Sequence, residues 1–193
     1  MSLMRKSQST RGTLPLRRFG LALLASAALF LVWPVRGAAA VSETDVKAAF
    51  LYNCAKFVEW PKDTFASETA PIQIAVIGDD EFASKLKSLL SDKKAQGRSF
   101  EVKKISNPQD VKSFQIVFIS SSETRRLPQI LDAAKKSSVL TIGETEQFVD
   151  LGGMINLFFE DAQLRFEVNA DAAEKARLVI SSKLLRLAKR VKR

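Results

Sequence analysis

The sequence predicts a single α/β domain, a mixed and mostly parallel sheet of about six strands with helices on both faces. Three observations carry this expectation. After residue 40, short β-branched apolar runs alternate with amphipathic segments. Two of the runs, IQIAVIG (72–78) and FQIVFIS (114–120), are almost continuously apolar, as strands covered on both faces are. Near the carboxyl end, Met154–Phe159 and Leu164–Asn169 flank Glu160-Asp161-Ala162-Gln163 and read as a hairpin, which makes the sheet mixed.

In chain order, Ser42 and Asp45 form a Ser-x-x-Asp capping pattern ahead of Val46, Ala49, Phe50, Asn53, Phe57 and Val58, a helical repeat that Pro61 ends. Pro71 opens the first buried strand. Gly78-Asp79-Asp80 then turns into a helix with Phe82, Leu86, Leu89 and Leu90 on one side. A weaker strand falls at Phe100–Ile105, and Asn107-Pro108 starts a short helix with proline at its first position. The second buried strand, 114–120, is followed by a helix over about 124–136, with Leu127, Ile130, Leu131 and Ala134 inward. Val139–Ile142 is a strand, Glu144–Asp150 a short helix, and Gly152-Gly153 a turn or a close backbone approach. The last helix is expected over Asp171–Lys189, with Ala172, Ala176, Val179, Ile180, Leu184, Leu187 and Ala188 apolar.

The 193 residues include 30 Lys+Arg, 21 Asp+Glu and no histidine, a net charge of +9. Residues 1–40 hold six bases and no acid, and residues 183–193 again hold six bases and no acid. Between them, residues 41–182 have 18 bases and 21 acids, a net of −3. The basic character thus sits at the two ends, which argues against a nucleic-acid-binding body. A basic n-region, the apolar run Phe19–Trp33, Pro34 and the small residues Gly37-Ala38-Ala39-Ala40 form the three-part pattern of a secretory signal, with cleavage expected after Ala40. An uncleaved single-span anchor is the alternative; either way the folded part, 41–193, lies outside the cytoplasm, and the periplasm is the expected compartment. The basic C-terminal KLLRLAKRVKR reads as an amphipathic helix end that could touch anionic lipid or simply be solvated.

Without histidine there is no Ser-His-Asp or Cys-His nucleophile system and no His-assisted metal site, and the lone Cys54 makes neither an intrachain disulfide nor a thiolate cluster. Neither an enzyme, a cofactor nor a metal is expected. Asp79 and Asp80, Ser120, Ser121 and Ser122, and Glu144 all follow strands at one sheet edge and outline a candidate ligand pocket, although the same residues serve as helix caps. Tyr52, Phe57 and Trp60 crowd the end of the first helix. One helix cannot turn all its large apolar residues into one core, so these three are candidates for contact with a partner; burial between two layers or in a dimer is the alternative.

Three stretches resemble the YfiR-like family of bacterial periplasmic proteins: VKAAFLYNCAKFVEWP (46–61), IAVIGDDEF (74–82) with VFISSSE (117–123), and GGMINLFFEDAQLRFEVNADAAEKARLVISSKLLRLA (152–188). The resemblance spans nearly all of the chain after the signal, and its last stretch is the most specific. It implies a single α/β domain that acts through protein contacts and forms dimers. It also implies an inhibitor that holds the sensory domain of an inner-membrane diguanylate cyclase inactive, lowers cyclic-di-GMP, and can be sequestered by an outer-membrane lipoprotein. Some members carry cysteine pairs, one just before the VFIS-type strand; here Gln115 stands near that position and Cys54 is alone, so control through an internal disulfide is excluded. Two functions follow as expectations: an inhibitory partner of a membrane signalling enzyme, and a small-molecule-binding or transport-associated module using the loops at 78–81, 120–123 and 143–144.

Overall fold

The computed structural model describes residues 42–193; the expected export signal and its cleavage site lie outside them. Ser42 caps α1 (Glu43–Phe57), its Oγ accepting the Asp45 N–H at 3.1 Å. β1 (Val58–Glu59) follows directly. β2 (Ile72–Ile77), α2 (Asp80–Leu90) and β3 (Phe100–Lys104) make the first βαβ unit. The segment after Asn107 is a 3-10 turn, Pro108–Ser113, leading into β4 (Ile116–Ile119). A second such turn, Ser121–Glu123, precedes α3 (Leu127–Ala134) and β5 (Leu140–Gly143). The hairpin β6 (Ile155–Glu160) and β7 (Gln163–Asn169) is closed by Asp161 and Ala162, both at positive φ, the conformation of a two-residue primed turn. The chain ends with α4 (Ala170–Lys175), β8 (Val179–Ile180), α5 (Ser182–Leu187) and β9 (Arg190–Lys192).

Seven strands form the main sheet in the order β3-β2-β4-β5-β6-β7-β9. Strands β3, β2, β4, β5 and β6 run parallel, β7 is antiparallel to β6, and β9 is parallel to β7. The mixed, mostly parallel sheet is thus present, with one strand more than expected. β1 and β8 pair separately, Val58 opposite Ile180 and Glu59 opposite Val179. Alternate residues of the central strands face two apolar layers. On one side, Ile74, Val76, Ile116, Phe118 and Ile142 pack with Leu51, Cys54 and Val58 of the α1 segment and Phe82, Leu86 and Leu90 of α2. On the other, Ala75, Ile77, Val117 and Ile119 pack with Leu127, Ile130 and Leu131 of α3 and with Val111. Cys54 is fully buried, and burial pushes its thiol far above the ordinary range, so it is an inert core side chain.

Two expected helices are corrected. Glu144–Asp150 is a series of tight turns that lowers Phe148 and Val149 into the interior; Gln147 stands at positive φ, and the Gly153 N–H returns to the Phe148 carbonyl at 2.9 Å. The single C-terminal helix is broken by Arg177 at φ 62, after which the β-branched Val179-Ile180 pairs with β1. Ser181 then caps the short α5. Val179 and Leu187, two of the apolar positions of the expected helix, are 60% and 74% exposed. The basic end is therefore a short helix followed by an edge strand, with much of its charge matched within the chain. Lys189 pairs with Glu160, Arg190 with Asp150 and Glu167 at 2.9 Å each, and Lys192 with Asp150 at 3.3 Å. These pairs tie β9 to the hairpin and to Asp150.

Candidate functional site

From β2 the chain crosses to the edge strand β3 and then returns to β4 on the other side of β2. The carboxyl ends of β2 and β4 therefore form the topological switch point, where open α/β sheets usually take ligands. The loops singled out in the sequence meet there. Gly78, at φ +84, begins the turn after β2, and a Cβ on it would stand 2.4 Å from Ser122 Oγ, so the close approach of the two loops needs glycine. Ser122 Oγ donates to the Gly78 carbonyl at 2.9 Å. Asp79 caps α2, accepting the Phe82 N–H at 2.8 Å, and Asp80 pairs in solvent with Lys104 at 2.6 Å. These two carboxylates do not join the serines.

Ser120, Ser121 and Glu144 do come together. Glu144 Oε1 accepts from the Ser121 N–H at 3.2 Å and from the hydroxyls of Ser120 and Ser121 at 3.3 and 3.4 Å. Its other oxygen accepts from Lys47 Nζ at 2.8 Å. Lys47 and Glu144 side chains are only 15% and 18% exposed. The Lys47 ammonium also lies 5.5 and 5.8 Å from the ring centres of Phe82 and Phe118, within cation–π range. Sequence reasoning missed Lys47. The signal was there: Lys47 shares a helical stripe with Leu51, Cys54, Ala55 and Val58, all buried, and a lone cation on such a stripe needs an anion. Chemically, this cluster places a carboxylate where four donors converge and pins α1 to the sheet edge. Among the described residues, no group of three or more His, Cys, Asp or Glu could hold a metal ion, and no helix is long and apolar enough to cross a membrane.

The aromatic residues at the end of α1 are half-buried rather than free. Tyr52 donates its hydroxyl to the Lys94 carbonyl at 3.2 Å and meets Phe100 edge-on at 5.9 Å. Trp60 Nε1 donates to the Gln115 carbonyl at 3.2 Å, and Phe57 packs against the α1–α2 core. Gln115 is buried and ties the loop after β1 to the sheet: its Oε1 accepts the Gln73 N–H at 2.8 Å and its Nε2 donates to the Thr64 carbonyl at 3.4 Å. Beside Phe57 runs the β1–β8 ladder, extended by the Ser181 N–H to the Phe57 carbonyl at 2.9 Å. The exposed Val179 therefore adjoins this helix end.

Fold and site together define a one-domain α/β protein whose polar cluster at the switch point is matched from within and whose α1–β8 end presents apolar surface. The chain belongs to the YfiR/HmsC-like family, whose model matches residues 44–189. That family is regulatory and non-catalytic, in general periplasmic, and its members act with a partner regulatory protein. A solved structure of a conserved domain protein from Vibrio cholerae O1 biovar El Tor shares the fold, with a TM-score of 0.52 at 15% identity over 78% of this chain. This chain spans 60% of that protein. The ABC domain of a Streptococcus pneumoniae protein in complex with L-Trp gives a TM-score of 0.47 at 10% identity, covering 62% of this chain and 54% of that one.

Proposed function

We propose that this protein is exported by residues 1–40, with cleavage after Ala40, and works in the periplasm as a non-enzymatic inhibitor. It binds the periplasmic sensory domain of an inner-membrane diguanylate cyclase, holds the enzyme inactive and so lowers cyclic-di-GMP. An outer-membrane lipoprotein is the natural counterpart that would sequester it, and the working form is a homodimer. The observation that carries this reading is the family match across 44–189. The lack of any histidine supports a contact function over catalysis. The docking surface in this reading is the end of α1, with Tyr52, Phe57 and Trp60, together with the exposed Val179 beside it. The small-molecule alternative at Asp79, Asp80, Ser120, Ser121, Ser122 and Glu144 gains no support from that edge, because each of those side chains already has a partner within the chain.

The test is capture from solubilised inner membranes by the tagged mature chain. Recovery of a membrane cyclase is expected. Val179→Asp, at an exposed position, should leave the thermal unfolding curve unchanged and abolish capture. A wild-type bait that recovers no cyclase overturns the function; a Val179→Asp bait that captures as well as wild type overturns the surface.

A further inference from the structure

A cleft of about 380 Å³ opens at the sheet edge opposite the switch point, between the carboxyl end of α3 and α4. Its size lies within the range of small-molecule sites. We infer that it binds a small amphipathic carboxylate, an anionic head on an aromatic or aliphatic body. The apolar part of the wall comes from Leu131 of α3, Met154 ahead of β6, and Ala172 and Ala176 around α4. The short alanine side chains leave the space that a ring or short aliphatic chain would fill.

The rim carries the charge. Lys135, Lys136, Lys175 and Lys192 all line the cleft, against the single carboxylate of Asp171. Lys135 and Lys175 pair with Asp132 and Asp171 at 2.9 and 2.7 Å, and Lys192 with Asp150 at 3.3 Å. These pairs are solvent-exposed and weak, so each lysine is able to turn to a bound anion. Lys136 has no carboxylate within ion-pair distance among the described residues. A second feature is independent of the lysines. Thr141 is 2% exposed and lines the cleft, and its Oγ1 accepts the Met154 N–H at 3.1 Å. Its hydroxyl proton finds no acceptor among the described residues. A buried donor without an acceptor costs free energy, and a carboxylate oxygen in the cleft would remove that cost.

The probe is 2-naphthoate, titrated by calorimetry into the mature chain, with the neutral 2-naphthylmethanol and with acetate as controls. The acid should bind with a Kd below about 1 mM. The alcohol should be at least about tenfold weaker for want of the charge, and affinity for the acid should fall as salt rises. Ala172→Phe, which fills the cleft, should abolish binding, and Lys136→Glu, on the exposed rim, should weaken it about tenfold. Both variants are first checked for a wild-type unfolding transition; if Ala172→Phe fails that check, Lys136→Glu decides. Equal affinity for acid and alcohol, undiminished binding in the variant that decides, or no binding of the acid at about 1 mM overturns the inference.

Discussion

Replacing Gly153 by alanine tests the packing that places Phe148 between the two sheet-edge glycines. An added Cβ at 153 would stand 2.1 Å from Phe148 Cε1 and 2.3 Å from Cδ1. Unstrained carbon pairs sit about 3.5–4.0 Å apart, so the ring must move by more than an ångström. It has nowhere to go. A Cβ at Gly143 would meet the opposite ring edge, Cε2 and Cδ2, at 2.3 and 2.5 Å, so the Gly143 backbone already closes that side, and Phe148 is fully buried. The backbone at 153 is one an alanine can adopt, since its φ lies outside the positive region that marks Gly78, Gly97 and Gly152. The loss of chain entropy in the unfolded state therefore favours alanine by about 0.4–1 kcal/mol, and overpacking of about 1–3 kcal/mol opposes it. With the ring blocked on both sides the upper end applies, for a net loss of about 2 kcal/mol. In a domain of this size that is about 4–8 °C in Tm. Urea unfolding at constant m measures it. Phe148→Leu in the same background should be far less harmful than in the wild type, a coupling of at least about 1 kcal/mol. A Gly153→Ala variant within about 0.5 kcal/mol of wild type, or additive effects in the pair, would refute the clasp.

Two further outcomes follow from the charged contacts. The Asp150 carboxyl is held below its ordinary range chiefly by the hydrogen bond from Arg190, and Glu160 by that from Lys189. Folded pKa values below the unfolded ones mean that this tether is complete above about pH 4 and is lost as pH falls through the folded values. Amides of the β7–β9 ladder should then lose exchange protection before those of β2 and β4, and equal loss in both would contradict the tether. At the switch point, Lys47→Met leaves a largely buried carboxylate without its cation and should cost about 1–3 kcal/mol, between the exposed and buried limits. Adding Glu144→Gln should recover most of that in a double-mutant cycle, and a coupling near zero would show that the pair does not hold α1.

What was legible in the sequence, and what was not, divides along the range of the interactions. The strands β2 and β4 were plain because each is buried on both faces and needs apolar residues at nearly every position. The inward residues of α3 and the hairpin turn were plain because local periodicity and a polar turn specify them. The C-terminal segment misled because Ala172, Ala176, Val179, Leu184 and Leu187 keep helical spacing while no glycine or proline marks the break at Arg177. What decides that break is the pairing of Val179-Ile180 with Val58-Glu59, residues distant in sequence, and local pattern carries no record of such a partner. Lys47 was missed for the same reason, since its anion is 97 positions away.

The candidate site shows the same division, with a consequence for how the protein works. Capping residues at Asp79 and Ser120 could be read from their spacing, but whether the polar groups between them stood open or matched depended on where Glu144 points. It points inward, and its carboxylate takes the donors that a ligand anion would otherwise receive from Ser120, Ser121 and Lys47. The donors at the usual ligand edge of an α/β sheet are thereby matched within the chain itself. That leaves two surfaces of different character: the apolar end of α1 beside β8, and the lysine-rimmed cleft at the far edge. The two are joined by short elements. α4 lines the cleft and continues through Arg177 into β8, whose partner β1 extends directly from α1. A ligand that shifts α4 would therefore act on the proposed docking surface through three contiguous elements. Titrating 2-naphthoate during cyclase capture should change the captured amount in the wild type but not in Lys136→Glu, and an equal response in both would separate the two surfaces.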